Sequence, residues 1–142
     1  MKPQIDTVAA GQFFVKVNTT FAGLRNYFDE FHKHLSKIGG SNPYFNWKVL
    51  PISATGRSFE VEYLTVRIRA VLSIRPAVDD RGVVSFYLLN DFDTPVTVID
   101  YFDYDPEYGE TQVADTSGSK LYIGVEGHAM KLLVEILHQA YV

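Results

Sequence analysis

Residues 21–38, FAGLRNYFDEFHKHLSKI, give the clearest indication of the fold. Large apolar side chains recur there at intervals of three and four residues, which places them along one face of an α-helix. The members of this apolar stripe are Phe21, Leu24, Phe28, Phe31, Leu35 and Ile38. A polar residue within 18–20 is suited to cap the first turn, and Gly39 and Gly40 permit the left-handed geometry that ends many helices. We therefore predict a helix over residues 21–38 whose stripe packs into the core.

The segment before this helix has a different period. Phe13, Val15 and Val17 alternate with Phe14 and Lys16, as expected for a β-strand whose successive side chains point to opposite faces. We therefore predict a first strand over residues 13–17, immediately before the helix.

A long alternating stretch covers residues 57–74. Its polar positions are glutamates up to residue 63 and mostly arginines after residue 66. The phase of the alternation slips by one residue at Leu64 and Thr65, and such a slip turns every later side chain to the other face of a sheet. A β-bulge or a tight bend is therefore expected at these two residues.

The other predicted strands cover residues 47–52, 83–89, 96–102 and 121–125. Pro51 cannot donate a ladder hydrogen bond, which favours a sheet edge for the first of them. Turn-forming residues at 76–82 separate the strand that ends at Ile74 from the next one, so these two should form an antiparallel hairpin. Residues 103–119 are predicted to form a long loop that contains a short strand near Gln112 and Val113.

A second helix is predicted at the end of the chain. Its wide apolar face comprises Ala129, Leu132, Leu133, Ile136, Leu137 and Ala140. Met130, Val134 and Tyr141 add apolar surface on other sides, which is typical of a helix buried on more than one side or used in a subunit contact. With no repeated βαβ unit, the predicted fold is α+β, a single domain over residues 1–142. Its antiparallel, bent sheet has five to six strands packed with an N-terminal-half helix and a C-terminal helix.

The composition excludes several classes of function. Thirteen Lys and Arg residues against 17 Asp and Glu residues give a net charge of −4, so attraction to nucleic-acid phosphates has no overall support. The absence of cysteine excludes disulfides and thiolate metal sites. No apolar run approaches the roughly 20 residues of a membrane span, and the first residues do not resemble a signal peptide. We expect a soluble cytoplasmic protein without a cofactor.

The segment 100–110, DYFDYDPEYGE, alternates carboxylates with aromatic rings near the end of a strand. Rings anchor protein interfaces and carboxylates steer basic partners, so this surface is a candidate for a protein contact. The candidate residues are Tyr101, Asp103, Tyr104, Asp105 and Tyr108. A solvated loop is the simpler alternative, and the spacing lacks the regular pattern of an EF-hand calcium loop.

Arg67, Arg69 and Arg75 lie on one face of a predicted strand and could bind a small anionic ligand, because forked guanidinium donors match carboxylates and phosphates. Cross-strand pairing with Glu60 or Glu62 is the alternative. His32 borders the apolar stripe of the first helix and is a further candidate, either as a pocket residue or as a partly buried structural histidine.

Two carboxylate and histidine pairs have the spacing of helical metal ligands, Asp29 with His32 and Glu135 with His138. Di-iron bundles use this spacing but need two further ligating helices, for which this chain has no room. We therefore predict no metal. Lys131 shares the polar stripe of the last helix with Glu135, and a histidine there could act as a base if it lined a pocket.

Two functions follow from these candidates. The first is a non-catalytic binding or protein-interaction module, self-associating, that uses the acidic aromatic surface. The alternative is a small-molecule pocket protein or small enzyme with a cavity between curved sheet and helix, lined by rings such as Phe59, Tyr63 and Tyr87. The signature motifs of common hydrolases, metalloproteases and Rossmann enzymes are absent, which leaves catalysis an open question.

Overall fold

The computed structural model describes residues 6–41, 46–74, 80–92 and 94–141. Within these residues the elements are, in chain order, α1 (Thr7–Ile38), β1 (Lys48–Val49), β2 (Ser58–Tyr63), β3 (Val66–Ile74), β4 (Gly82–Leu89), β5 (Pro95–Tyr104), β6 (Glu110–Ala114), β7 (Lys120–Tyr122) and α2 (Glu126–Tyr141). The seven strands of this described part form one antiparallel sheet in sequence order. The predicted α+β class, with a helix near each end, is confirmed, with more strands than the five to six expected.

The predicted strand over residues 13–17 is wrong. Helix α1 already begins at Thr7, because the Asp6 carboxylate accepts a hydrogen bond of 2.8 Å from the Ala9 N–H and caps the first turn. The expected cap within residues 18–20 therefore lies inside the helix. Five residues of alternation cannot be told from part of a helical stripe, and Phe13 and Val17 also continue the spacing of the predicted stripe.

The apolar stripe of α1 forms the centre of the core, as predicted. Leu24, Phe28, Phe31 and Leu35 are fully buried, and Phe21 and Ile38 are partly buried. The same core cluster contains the predicted α2 residues Ala129, Leu132, Leu133, Ile136 and Leu137. Both helices therefore pack together with the sheet around one set of buried side chains.

Strands β2 and β3 form a hairpin with a two-residue turn. Tyr63 pairs with Val66, so Leu64 and Thr65 alone connect the strands. The expected slip in the alternation is therefore a tight bend and not a bulge. Leu64 has a φ of 54°, in the left-handed region that costs a non-glycine residue about 1–2 kcal/mol.

Replacing Leu64 with glycine is expected to raise the free energy of unfolding by about 1 kcal/mol, because glycine adopts positive φ without the steric cost. Leu64 is 77% exposed, so little packing is lost. Thr65→Gly is the matched control: Thr65 has no positive φ, and glycine should destabilise the turn there. Chemical denaturation of the three proteins tests this, and a Leu64→Gly protein less stable than wild type would contradict it.

Several strand boundaries differ from the prediction. β1 is shorter than expected but lies at the sheet edge that Pro51 indicated. β7 ends at Tyr122, and Val125 lies outside it. β3 and β4 form the predicted antiparallel pair, although residues 75–79 of their connection lie outside the described part of the chain.

The predicted long loop over residues 103–119 is wrong in extent. β5 runs on to Tyr104, and β6 and the start of β7 fill much of the remainder. Two tight turns, at residues 105–109 and 115–119, replace the loop. In the part of the chain that the structure describes, neither helix has an apolar stretch long enough to form a membrane span.

Candidate functional site

The sheet opens between β5 and β6, and the opening forms a cleft. β5 is paired with β4 along its length, whereas its pairing with β6 consists of Tyr104 opposite Thr111. Beyond this point the two strands diverge, and α2 lies across the space between them. The cleft has a volume of about 610 Å³, within the range of pockets that hold small molecules.

Side chains cap the edge of β5 that faces the opening. The N–H of Asp103 donates a hydrogen bond of 2.8 Å to Oε1 of Gln112, and the N–H of Tyr101 donates one of 2.8 Å to Oδ1 of Asp100. N–H groups two residues apart on a strand point to the same edge. This edge is therefore satisfied by side chains where a further strand would otherwise pair.

The cleft has an apolar floor and a polar rim. The floor consists of Phe102, Val113, Leu121, Leu132 and Ile136. The ionisable residues of the lining are Asp100, Asp115, Glu135 and Lys131. Three carboxylates thus face one ammonium group, which leaves the cleft with an excess of negative charge.

Gln139 lies between two of these carboxylates. Its Nε2 donates a hydrogen bond of 2.8 Å to Oδ2 of Asp100 and lies 3.5 Å from Oε1 of Glu135. The neutral amide group of Gln139 therefore lies between two carboxylates. A cationic group in the same position would interact with them more strongly.

Asp115 is held as an anion at the other side of the rim. Its Oδ1 accepts a hydrogen bond of 2.6 Å from the Ser117 hydroxyl and others from the backbone N–H groups of Ser117 and Ser119. These bonds, led by that of the hydroxyl, and Lys131 with its Nζ 3.7 Å from Oδ2 lower the pKa of Asp115. Its charge is therefore already matched within the protein.

Two residues of the acidic aromatic segment are part of the interior. Asp103 is buried, and its Oδ1 accepts a hydrogen bond of 2.9 Å from Nε of Arg81. Tyr104 is fully buried, and its hydroxyl donates a 2.6 Å hydrogen bond to the Leu24 carbonyl. Burial, reinforced by the charge of Asp29, raises the pKa of Tyr104 well above its usual value.

The other three residues of that segment are divided between a turn and the surface. Asp105 accepts hydrogen bonds from the backbone N–H groups of Glu107, Tyr108 and Glu110, so its carboxylate organises the turn between β5 and β6. Tyr101 and Tyr108 are 57% and 65% exposed. Tyr101 lines the cleft and Tyr108 does not. The segment therefore does not form one continuous acidic aromatic surface.

The arginines of β3 are paired across the strands. Nη2 of Arg67 lies 3.0 Å from Oε1 of Glu60 and its Nε lies 3.6 Å from Oε1 of Glu62. Nη2 of Arg69 lies 3.7 Å from the other oxygen of Glu60. This is the cross-strand arrangement expected as the alternative to an anion site. Arg75 lies outside the described residues.

His32 contacts the core. Its Nε2 is 2.9 Å from the Leu50 carbonyl oxygen, and its ring meets that of Phe59 edge-on at 5.0 Å. The Phe59 ring, proposed above as a pocket wall, is buried against Phe28 and Phe31. Among the described residues, no group of three or more acidic or histidine side chains is arranged to hold a metal ion.

The first half of α1 carries exposed apolar side chains that the predicted strand did not indicate. This α1 apolar surface is the set of exposed apolar side chains around the first half of the helix, Val8, Phe13, Phe14, Val15 and Val17, with exposures of 36–71%. Phe13 and Val17 lie on one side of the helix, and Val8 and Val15 on the opposite side. Prediction of a strand there concealed this surface, since the strand would have buried one of its faces. The signal was present in the spacing of four that links Phe13 and Val17 to Phe21, downstream of a capping aspartate.

Comparison with protein-family models, curated proteins and solved structures gives no match in any of the three.

Proposed function

We propose that the protein is a non-catalytic interaction module that self-associates through the α1 apolar surface. The observation that carries this proposal is the exposure of two adjacent phenylalanines, Phe13 at 53% and Phe14 at 62%, together with three valines on the same helical segment. Large exposed apolar side chains concentrated on one segment are typical of protein interaction sites.

The first half of α1 has little support from the rest of the molecule. Residues 7–20 are exposed over most of their length. One ion pair connects them to the sheet side of the molecule within the described residues, with Nζ of Lys16 3.6 Å from Oδ2 of Asp80. Most of the stability of helices in proteins comes from packing of their apolar side chains, which this half of α1 has little of. A surface that covers the apolar side chains would stabilise this segment, because it would remove them from water and reduce fraying.

A second copy of the chain is the partner that fits this surface. Residues 7–20 contain one charged residue, Lys16. The segment therefore has little charge with which to select a partner of opposite sign. At about 150–250 Å² for a fully exposed ring, the two phenylalanines offer roughly 230 Å² of exposed surface per copy. A specific interface requires roughly 1,000 Å² in total, so neighbouring side chains of both copies must contribute the remainder.

We expect Phe14→Asp to weaken the dimer about thirtyfold, since truncation of a central aromatic anchor typically costs about 2 kcal/mol and the aspartate adds a buried charge. Phe92→Asp is the matched control, because Phe92 is 87% exposed in the turn after β4. Sedimentation equilibrium over a range of concentrations measures both, and circular dichroism verifies that each variant is folded. A wild-type protein that stays monomeric at high concentration would rule out self-association.

A further inference from the structure

We propose that the cleft between β5, β6 and α2 is a binding site for a small organic cation with an apolar body, such as an arylalkylamine. This site shares no residue with the α1 apolar surface, so ligand binding here does not depend on self-association. Three features of the cleft indicate the class of ligand: its shape, the bonded N–H groups along the β5 edge and the charge of its rim.

The shape and the strand edge favour a small molecule over a peptide. Phe102, Leu132 and Ile136 provide an apolar floor for a ring or an alkyl chain, in a volume of about 610 Å³. A peptide that added a strand to β5 would need its edge N–H groups. Those of Tyr101 and Asp103 are already bonded to Asp100 and Gln112. A compact ligand can enter without breaking these bonds.

The charge of the rim favours a cation. Asp115 is matched by Lys131 and by the Ser117 hydroxyl, so Asp100 and Glu135 supply the remaining negative charge. A ligand ammonium that takes the position of the Gln139 amide would lie between these two carboxylates and replace a neutral donor with a charged one. The half-exposed ring of Tyr101 at the same rim adds a face for a cation.

Isothermal titration calorimetry with four probes tests the class of ligand. Phenethylamine combines a ring with an ammonium group; phenethyl alcohol lacks the charge, hydrocinnamate reverses it, and ethylamine lacks the ring. We expect saturable binding of phenethylamine, with each of the other three at least about fivefold weaker because each lacks one required feature. No saturable binding of phenethylamine, or equal binding of hydrocinnamate, would overturn the proposal.

Two variants test the location. Glu135→Gln should weaken phenethylamine binding about fivefold by removing one carboxylate, whereas Glu107→Gln, the same change on an exposed turn outside the cleft, should leave it unchanged. Ala114→Trp, at an exposed position of β6, should abolish binding by filling the cleft without disturbing the core. Binding that survives Ala114→Trp in a folded protein, or that falls equally in Glu107→Gln, would show that the ligand binds elsewhere.

Discussion

Replacing Phe31 with alanine is expected to lower the free energy of unfolding by about 3–5 kcal/mol. Phe31 is fully buried on α1, and its ring contacts Phe59 of β2 at 6.0 Å and Phe102 of β5 at 5.8 Å between centroids. Removing the ring loses its transfer from water and leaves a cavity between the helix and two separate strands. Since domains of this size are stable by about 5–15 kcal/mol, the variant should be close to unfolding.

Phe92→Ala is the control for this substitution. The Phe92 side chain is 87% exposed, so the same chemical change should alter stability by less than about 0.5 kcal/mol. Urea denaturation followed by tryptophan fluorescence measures both variants, because Trp47 is buried in the core. Similar losses of stability in the two proteins would contradict the arrangement of α1 against the sheet.

At alkaline pH the wild-type protein is expected to lose stability through Tyr104. Burial raises the pKa of its hydroxyl in the folded state, whereas an unfolded tyrosine ionises near pH 10. Above that pH the unfolded state loses a proton that the folded state retains, so stability falls as pH rises, by about 1.4 kcal/mol per pH unit. At pH 11.5 the loss from this residue should reach about 2 kcal/mol.

Tyr104→Phe separates this effect from other causes of alkaline unfolding. At neutral pH the variant should be less stable by about 1 kcal/mol, because it lacks the 2.6 Å hydrogen bond to the Leu24 carbonyl. Above pH 10 its stability should fall less steeply than that of wild type. Burial and neighbouring carboxylates also raise the pKa of Tyr27, but that contribution is common to both proteins. Parallel curves of stability against pH would contradict the buried, hydrogen-bonded position of Tyr104.

The two binding proposals predict different phenotypes in one protein. Phe14→Asp should weaken self-association and leave amine binding intact, because the cleft lies between β5, β6 and α2. Ala114→Trp should do the reverse. A protein in which each variant removed both properties would have a ligand site completed by the second copy, which neither proposal contains.

The candidate site was less predictable than the fold. The sequence placed Asp100, Tyr101, Lys131 and Glu135 on a strand end and a helix, but nothing in a linear pattern indicates that these segments meet. The cleft arises because β5 and β6 part after Tyr104, and this divergence depends on long-range pairing. The set of residues that line the site is therefore evident only in the folded structure.

By itself the sequence determined the elements whose periodicity is long. The stripe of α1 repeats over 18 residues, and the alternation of β2 and β3 covers residues 57–74 with one slip at Leu64 and Thr65, so the pattern of burial follows from helix and strand geometry alone. Residues 13–17 fit both periods, and a local feature, the helix capped by Asp6, made them helical. Tertiary structure decided where β5 and β6 stop pairing. It also decided which polar groups are exposed: Asp103 and Tyr104 are buried because Arg81 and the Leu24 carbonyl, distant in sequence, satisfy their hydrogen bonds.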